Sequence, residues 1–412
     1  MAEFNKQQES PVARATAEHA RRTGRAPEHT ASAPGTWVLI GENVDHFGGV
    51  TIIGLTGLRT AAAVSPREDG VVSLSASAPY SQPATGEIHL ADLAARSGNA
   101  GVAAASTDRA AVLRRFAGLV QTMVNKQVLS RDTTGFNITI ASDIPVGAGL
   151  GALHAADAAL ALALAGGHAE VNEPPMRARL AEICSQSAST YSTLAILRAR
   201  HTVALRGAAE LINVVDYADG SLTTAPHPGK LGVRIFSIAR QLGAPYAEQK
   251  ERIAVWRGFI DDAANNFGVS SLRELPDSVD RVGDWVEARR DVGDELAPEP
   301  ATARRWVSFC ESETLRSLAT AKALRSRRGN ELFTLLNSRC EAHSIETSDE
   351  LVSLALERGA VAARPAATGT SQAVIAFVPV RRAEDFARKF GQDFEVVEVT
   401  PGEPARLEDA RG

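Results

Sequence analysis

The chain has 412 residues, a length that favours two domains over one. Hydrophobic residues make up 44% of the chain and charged residues 23%, which is the composition of an ordinary soluble globular protein. The net charge of −5 provides neither the basic surface that nucleic acid requires nor a polybasic patch for a membrane.

The three cysteines are Cys184, Cys310 and Cys340. Their odd number argues against a disulfide framework and their spacing argues against a zinc site, so we predict free thiols in a reducing cytoplasm. The N-terminal sequence is polar throughout and predicts no secretory signal. The longest apolar helix candidate, residues 155–165, contains Asp157 and is too short to span a bilayer. We expect neither nucleic acid nor a membrane as a partner.

Predicted strands and helices alternate along the first half of the chain. Residues 1–34 predict a polar helix followed by a loop. Residues 36–90 predict the strands WVLI, VTIIGL, RTAAAVS and GVVSLSAS, because they are rich in threonine, valine and isoleucine. Residues 109–129 carry apolar side chains at helical spacing. The strand GFNITIASDI then leads through a glycine-rich loop into alanine-rich and further helices, and the strand AAELINVVDY closes this half.

The sequence turns polar and contains prolines between Asp216 and Lys230, so we predict domains over residues 1–216 and 217–412. The second half begins with the strand GVRIFSIA, continues with several helices, and ends with the strands AVIAFVP and FEVVEVT. Residues 293–305 are predicted as a charged loop. The alternation lacks the strict βαβ rhythm of a doubly wound sheet, and this favours the α+β class.

Residues 37–49, WVLIGENVDHFGG, form the first motif that points to chemistry. The apolar run over residues 37–40 indicates a buried strand that leads into a polar loop over residues 41–49, here called the acidic loop. In this loop Glu42, Asn43 and Asp45 can accept hydrogen bonds from hydroxyl groups, which suits a polyhydroxylated ligand. A solvated turn capped by a short polar side chain explains the same residues equally well.

Residues 145–151, PVGAGLG, form the second motif, here called the glycine loop, between a predicted strand and a predicted helix. Its glycines let backbone N–H groups approach an anion, and the N-terminus of the following helix adds partial positive charge. A phosphate site and a tight turn that needs glycine for steric reasons are both compatible with this pattern. The motif is not a Walker A loop, because no Lys-Ser/Thr pair follows.

The two motifs together resemble those of the galactokinases, which belong to the GHMP small-molecule kinase superfamily. Galactokinases carry a sugar motif of the form GRVNLIGEHTDYNGG and a phosphate loop of the form PxGxGLSSSA. Residues 24–35, 265–275 and 303–313 resemble further galactokinase segments in the same order, so the resemblance runs nearly end to end. It implies a two-domain α+β fold of the GHMP-kinase type, a ligand site between the domains, a sugar substrate, and ATP with Mg²⁺ as cofactors.

The resemblance also implies roles for single residues. Glu42 and Asp45 match acidic positions that bind sugar hydroxyls, and Asn43 replaces a histidine between them. Tyr246 matches a tyrosine that contacts the sugar. The phosphate-loop positions match Pro145, Gly147, Gly149 and Gly151.

Several positions depart from the galactokinase pattern. The arginine that assists attack by the sugar hydroxyl is Thr36 here, and threonine cannot supply a cation. The catalytic aspartate is expected near Ala199 or Arg200, and the sequence contains no acidic residue between Glu182 and Glu210. No catalytic residue is therefore assigned.

The loops that would hold the nucleotide depart as well. No hydroxyl group occurs between Val146 and Asp157, although magnesium requires hard oxygen ligands. No metal site is assigned, and nucleotide binding is doubtful. The serine run is replaced by Gly151, Ala152 and Leu153, followed by His154, which is expected on the helix surface or at an interface. The C-terminal glycine loop of the galactokinases corresponds to RPAATGTSQAV, which keeps only Arg364 and Gly369.

Three hypotheses follow. The first is a catalytically impaired galactokinase-like protein that still binds a sugar, as a sensor or regulatory partner. The second is an active kinase for galactose or a related sugar, with Asp157 or Asp216 as an unrecognised base. The third is a structural or interaction subunit without a ligand. A lost general base costs roughly 10²–10⁴-fold in rate, which favours the first hypothesis over the second.

Overall fold

The computed structural model describes residues 9–96, 109–192, 194–243, 249–338, 348–368 and 370–408. These residues form two β-sheets surrounded by helices, which confirms the α+β prediction. Strand and helix segments follow one another without a regular βαβ repeat, and most strand pairs are antiparallel. The predicted domain boundary after residue 216 stays a prediction.

The larger sheet has eight strands, in the order β12-β1-β2-β5-β3-β4, with β6 paired to β2 and β7 paired to β6. The β3–β5 pair is parallel, and the other pairs are antiparallel. The strands are β1 (His29–Ile40), β2 (Val50–Pro66), β3 (Val71–Ser77), β4 (Ala84–His89), β5 (Phe136–Ser142), β6 (Leu211–Asp216), β7 (Leu222–Pro226) and β12 (Arg406–Glu408).

The smaller sheet has four strands in the order β11-β8-β10-β9, all antiparallel. Its strands are β8 (Val233–Ala239), β9 (Ala362–Pro365), β10 (Val374–Pro379) and β11 (Glu395–Glu398). One apolar cluster joins the two sheets: the Trp37 ring of β1 lies 6.1 Å from the Phe377 ring of β10, and both side chains are fully buried. The acidic loop therefore follows a strand that both halves of the chain hold in place.

Two groups of three helices pack into separate cores. Helices α3, α4 and α5 share a core with the larger sheet, whereas α7, α8 and α9 form an aromatic core of their own. The helices are α1 (Pro11–Thr23), α2 (Leu90–Arg96), α3 (Arg109–Asn125), α4 (Ala152–Leu164), α5 (Pro174–Tyr191), α6 (Arg198–Arg206), α7 (Lys250–Phe267), α8 (Ser278–Asp291), α9 (Pro300–Arg325), α10 (Gly329–Asn337), α11 (Asp349–Glu357) and α12 (Ala383–Phe390).

Three predicted elements were wrong in their extent. The loop expected before residue 34 is strand from His29 onward, because residues 29–34 pair with residues 59–64 of β2. The two strands expected between residues 51 and 65 are one strand, β2, which continues through Gly57. The charged loop expected over residues 293–305 ends where Pro300 begins α9. Proline fits the first position of a helix, because an N–H group there would have no partner within the helix.

Among the helices of the described ranges, none combines the length and the apolar composition that a membrane span needs.

Candidate functional site

Three loops meet beside the ends of β1 and β5. The acidic loop follows β1, the glycine loop connects β5 to α4, and residues 366–368 and 370–373 between β9 and β10 belong to a third loop, here called the closing loop. The N–H of Thr368 in the closing loop donates to Glu42 Oε2 at 2.7 Å. The hydroxyl of Ser371 donates to the Gly147 carbonyl at 2.7 Å. The closing loop therefore contacts both sequence motifs and holds them together.

A small cavity lies between these loops. Its volume is about 20 Å³, and Glu42, Asn43, His154, Arg200 and Thr368 contribute to its lining. A single water molecule needs roughly 10–15 Å³ measured in this way. The cavity therefore has room for about one water molecule, and a sugar enters only if the loops or the Arg200 side chain move.

Glu42 and Asn43 lie where the sequence motif predicts them, at the cavity. Glu42 Oε1 has no hydrogen-bond partner and lies 3.9 Å from Arg200 Nη2. Asn43 adopts a φ of 62°, a left-handed conformation that asparagine tolerates better than most residues. Its side-chain oxygen accepts from Arg257 at 3.0 Å. Both side chains thus keep acceptor atoms within reach of a ligand.

Asp45 lies behind the cavity and does not line it. Its side chain has no exposed area, and neither carboxylate oxygen has a hydrogen-bond partner, although Oδ1 lies 3.3 Å from Arg257 Nη2. The hydroxyl of Tyr217 is also buried without a partner, and burial together with Asp45 raises its pKa well above the usual value. Tyr246, the other predicted sugar contact, lies outside the described residues.

The carbonyl groups of the glycine loop are all engaged by protein donors. Successive carbonyls from Val146 to Leu150 accept hydrogen bonds from five separate groups, namely Gly243 N–H, Ser371 Oγ, Ser237 Oγ, the Arg200 guanidinium and Thr36 N–H. Gly149 has a φ of +70°, and a Cβ there would lie 2.6 Å from Ala366 Cβ. The closing loop therefore packs directly against the glycine loop at Gly149.

Pro145, Gly147, Gly149 and Gly151 do form a strand-to-helix turn, as predicted. Gly151 is the N-cap of α4 and offers no capping side chain. Among the described residues, no acceptor is found for the N–H groups of Gly147, Gly149 and Gly151. The backbone alone thus still presents donors and the positive end of α4 to an anion.

Arg200 supplies a cation that the sequence comparison with Thr36 had not foreseen. Its guanidinium is buried and donates to the Thr36 carbonyl, to Thr36 Oγ1 at 3.1 Å and to the Gly149 carbonyl at 3.1 Å. Burial lowers its pKa, and Glu42 partly offsets that effect. Ala199 is fully buried in an apolar cluster. The region expected to hold a catalytic acid therefore holds a cation and an apolar side chain.

A buried charge network lies directly behind Arg200. Asp157 accepts from Arg115 at 3.0 and 2.5 Å and contacts His201 at 2.9 Å, and all three side chains are at most 3% exposed. Burial opposes ionisation, but the Arg115 charge and the bonds from His201 and Arg115 leave the pKa of Asp157 below its usual value. The network joins α3, α4 and α6.

His154 lies half-buried between α4 and α6, which agrees with the interface alternative of the prediction and not with the helix-surface one. Its ring lies 4.9 Å from the His201 ring, its Nε2 is buried without a hydrogen-bond partner, and it lines the cavity. Burial and His201 hold the pKa of His154 well below the usual value. A helical-position count from Asp157 would have placed His154 on the same face of α4, because residues three apart lie on one side of a helix.

The two acids considered as alternative bases are both occupied. Asp157 belongs to the buried network, and Asp216 Oδ1 accepts from Arg273 at 2.6 Å. Asp216 ends β6 and pairs with Val50 at the far side of the acidic loop. Neither carboxylate is among the residues that line the cavity.

Glu313 is a buried carboxylate that the sequence analysis missed. Its Oε1 accepts from the Gly41 N–H at 3.2 Å and from Arg364 at 2.9 Å, so it links α9 to the start of the acidic loop and to β9. Arg364, which was matched to the galactokinase C-terminal loop, therefore has a structural contact. Gly41 and Glu313 are 272 residues apart in sequence, so no local pattern predicts their contact.

The donors near the glycine loop do not fit a magnesium ion. No group of three or more His, Cys, Asp or Glu side chains with metal-binding geometry occurs within the described ranges. The hydroxyl of Ser371 is turned to the Gly147 carbonyl, and Glu42 is the carboxylate that lines the cavity. Magnesium prefers several oxygen ligands in octahedral geometry, which these groups do not provide.

Comparison with known proteins gave three findings. Residues 17–66 match the galactokinase galactose-binding signature. A galactokinase from Streptomyces coelicolor is 26% identical over 302 residues, which is 72% of this chain and 72% of the relative. The crystal structure of Lactococcus lactis galactokinase complexed with galactose superposes with a TM-score of 0.72 at 18% identity, covering 96% of this chain and 99% of the other.

Two further structures share the fold at lower similarity. A Lin0012 protein from Listeria innocua gives a TM-score of 0.56 at 11% identity, with 92% of this chain and 99% of the other covered. A D-glycero-D-manno-heptose 1-phosphate kinase from Bacteriodes thetaiotaomicron gives 0.53 at 11% identity, with 93% and 99% covered. At these identities the similarity shows the fold alone.

Proposed function

We propose that this chain, a member of the galactokinase family in the GHMP small-molecule kinase superfamily, binds a sugar at the acidic loop and transfers phosphate poorly or not at all. The observation that carries the proposal is that Glu42 Oε1 and both Asp45 oxygens are buried and accept no hydrogen bond, although Arg200 and Arg257 lie 3.9 and 3.3 Å from them. A buried carboxylate without hydrogen bonds is costly, whereas hydroxyl groups of a ligand can supply the missing donors. Galactose is the first sugar to test.

Sugar binding requires the site to open. The cavity of about 20 Å³ must widen, and Asp45 must become reachable behind Asn43. The Arg200 side chain is the group to displace, since it connects β1, the glycine loop and Glu42. A sugar hydroxyl that donates to Glu42 Oε1 would replace the weak 3.9 Å contact between Glu42 and Arg200.

The proposal of impaired catalysis rests on Arg200, a cation, which lies where the resemblance expects the catalytic carboxylate. Galactokinase chemistry by resemblance needs a carboxylate to accept the proton of the sugar hydroxyl, and Arg200 lines the place where that carboxylate is expected. Asp157 and Asp216 are held by Arg115 and Arg273. ATP with Mg²⁺ remains a cofactor of the family, and the donor set near the glycine loop argues against tight binding of that complex here.

An active kinase is the second candidate, and one observation favours it. The glycine loop keeps N–H groups without protein acceptors at the N-terminus of α4, an arrangement that binds phosphate in many proteins. If nucleotide binds there, Glu42 lines the cavity and its Oε1, which accepts no hydrogen bond, could act as the base. A structural subunit without a ligand is the third candidate, and the unpartnered oxygens argue against it.

Two measurements on the full chain separate these candidates. In a coupled ADP-release assay with galactose and magnesium-ATP, we expect turnover below about 0.1 per second, since enzymes typically turn over about 10 times per second and a lost base costs at least about 10²-fold. In a thermal-shift screen of sugars, we expect at least one to raise the melting temperature. Turnover near one per second would establish the kinase, and no shift with any sugar would favour the structural role.

A further inference from the structure

A second and larger cavity lies at the opposite end of α4 from the glycine loop. Its volume is about 320 Å³, and it is bounded by the start of β1, the end of β2, the turn after α3, the start of β5 and the end of α4. The 13 residues of α4 separate the two cavities by about 20 Å along the helix axis. None of the residues that line the first cavity lines this one.

The walls of this second cavity are apolar. Val64, Val128, Ala163 and Leu164 are buried, and the half-buried Phe136 ring completes the lining. Pockets that bind small organic molecules have volumes of roughly 300–1,000 Å³ and mostly apolar walls with a few polar groups. The cavity falls within that range, and its walls suit an aromatic or aliphatic ligand body.

The polar groups at the mouth are mostly hydrogen-bond acceptors. Glu28 places an exposed carboxylate there, and its Oε1 lies 3.7 Å from His29 Nε2. His168 Nε2 donates to the Val128 carbonyl at 2.7 Å, and in this tautomer Nδ1 can act as an acceptor. The C-terminus of α4 adds the negative end of a helix dipole beside Leu164.

Positive charge is scarce at this mouth. No lysine or arginine belongs to the lining of the cavity. Arg25 donates to the carbonyl of Pro66 at the rim. The electrostatic pattern of carboxylate, helix C-terminus and imidazole acceptor complements a cation that donates several hydrogen bonds.

We infer that this second cavity binds a small organic amine whose ammonium group lies against Glu28 and the C-terminal end of α4. The aromatic or aliphatic body of the amine packs between Val64, Phe136 and Leu164. The site is independent of the sugar site, since it shares no lining residue with it. Its occupant therefore need not be a carbohydrate.

Three probes of matched shape test the inference on the full chain: 2-phenylethylamine, neutral 2-phenylethanol and anionic 3-phenylpropanoate. By ligand-observed NMR and calorimetry, we expect the amine to bind about tenfold more tightly than the alcohol, a difference of about 1.4 kcal/mol, and the acid to bind most weakly. Equal binding of all three probes, or no binding at about 5 mM, would overturn the inference.

Two variants locate the amine. Glu28→Gln removes an exposed charge and should weaken amine binding about fivefold while leaving alcohol binding unchanged. Glu251→Gln, an exposed carboxylate at the start of α7, is the matched control. Amine binding that Glu28→Gln does not weaken contradicts the proposed position of the ammonium group.

A blocking variant tests the cavity itself. Gly167 is exposed at the mouth, and a Cβ there meets only His29 Nε2 at 3.7 Å, so Gly167→Phe can place a ring in the cavity without a backbone clash. It should abolish amine binding, whereas Gly258→Phe, at an open position on α7, should not. If Gly167→Phe fails to fold, the Glu28→Gln result alone still decides, and retained binding in a folded Gly167→Phe refutes the site.

Discussion

Asp45 and Asp157 are both buried aspartates near one site, and their surroundings differ. Asp157 receives two hydrogen bonds from Arg115 and one contact from His201, which satisfies both of its oxygens. Asp45 faces Arg257 at 3.3 Å with no hydrogen bond to either oxygen, and the buried Tyr217 hydroxyl is equally unpartnered. A satisfied buried charge has a structural explanation, whereas an unsatisfied one calls for a ligand.

This difference decides how each residue enters the function. Asp157 looked like a substitute base from its sequence position, and its complete set of partners removes it from that role. Asp45 keeps the acceptor capacity that a sugar hydroxyl needs. We therefore propose that the same residue type supports the fold in α4 and binds the ligand in the acidic loop.

Removing Asp157 should have the largest effect on stability. Asp157→Ala leaves the buried Arg115 guanidinium without its counterion, and breaking a buried pair in this way costs about 3–5 kcal/mol of unfolding free energy. Urea unfolding followed by circular dichroism measures it. Asp132→Ala, at an exposed position, is the control. A loss below about 1 kcal/mol would show that Asp157 is not structural and would return it to the list of candidate bases.

Acid should weaken the strand that carries the acidic loop, through His227. The His227 ring packs 5.8 Å from Trp37 of β1, and burial, assisted by Lys230, lowers its pKa from 6.5 to about 4. The unfolded chain therefore binds a proton more readily than the folded chain. The contribution of the neutral His227 ring to the free energy of unfolding is complete above pH 6.5 and is lost as pH falls towards 4. We expect a loss of about 2–3 kcal/mol over that range.

Unfolding free energies of the wild type and His227→Gln, measured from pH 7 to pH 4, isolate that contribution. The variant should lose less stability over the interval than the wild type. Other histidines also titrate, since burial lowers the pKa of His19 to about 4. Identical pH profiles for the two proteins would assign the acid sensitivity to those other groups.

Local sequence patterns predicted the parts of the site that lie within one stretch of chain. The apolar run before Gly41 and the glycines after Pro145 located both loops, because the change from strand to loop depends on residues that are adjacent in sequence. Arg200 was missed as a partner of Thr36, since 164 residues separate the two. The contact between the His154 and His201 rings was missed for a related reason, because His201 lies on another helix.

Removing Arg200 should lower the free energy of unfolding by less than removing Asp157 does. It should also strengthen sugar binding. Arg200→Ala leaves the Thr36 and Gly149 carbonyls without donors, at a cost of about 1–3 kcal/mol. It also enlarges the cavity, so a sugar should raise the melting temperature by more than in the wild type. Arg206→Ala, at the exposed end of α6, is the control. A smaller sugar-induced shift would show that Arg200 binds the sugar rather than obstructing it.

Asp45→Asn should have the smallest effect on the unliganded protein and the clearest effect on the ligand. Asparagine has nearly the same shape, and it removes a buried charge that no hydrogen bond stabilises, while Arg257 keeps its bonds to the Ile196 carbonyl and to Asn43. The unfolding free energy should therefore change by less than about 1 kcal/mol. Since the amide has one acceptor oxygen and no charge, the thermal shift produced by a sugar should disappear. A sugar-induced shift that survives in Asp45→Asn would place the sugar elsewhere, whereas a large loss of stability without sugar would make Asp45 a structural partner of Arg257, as Asp157 is of Arg115.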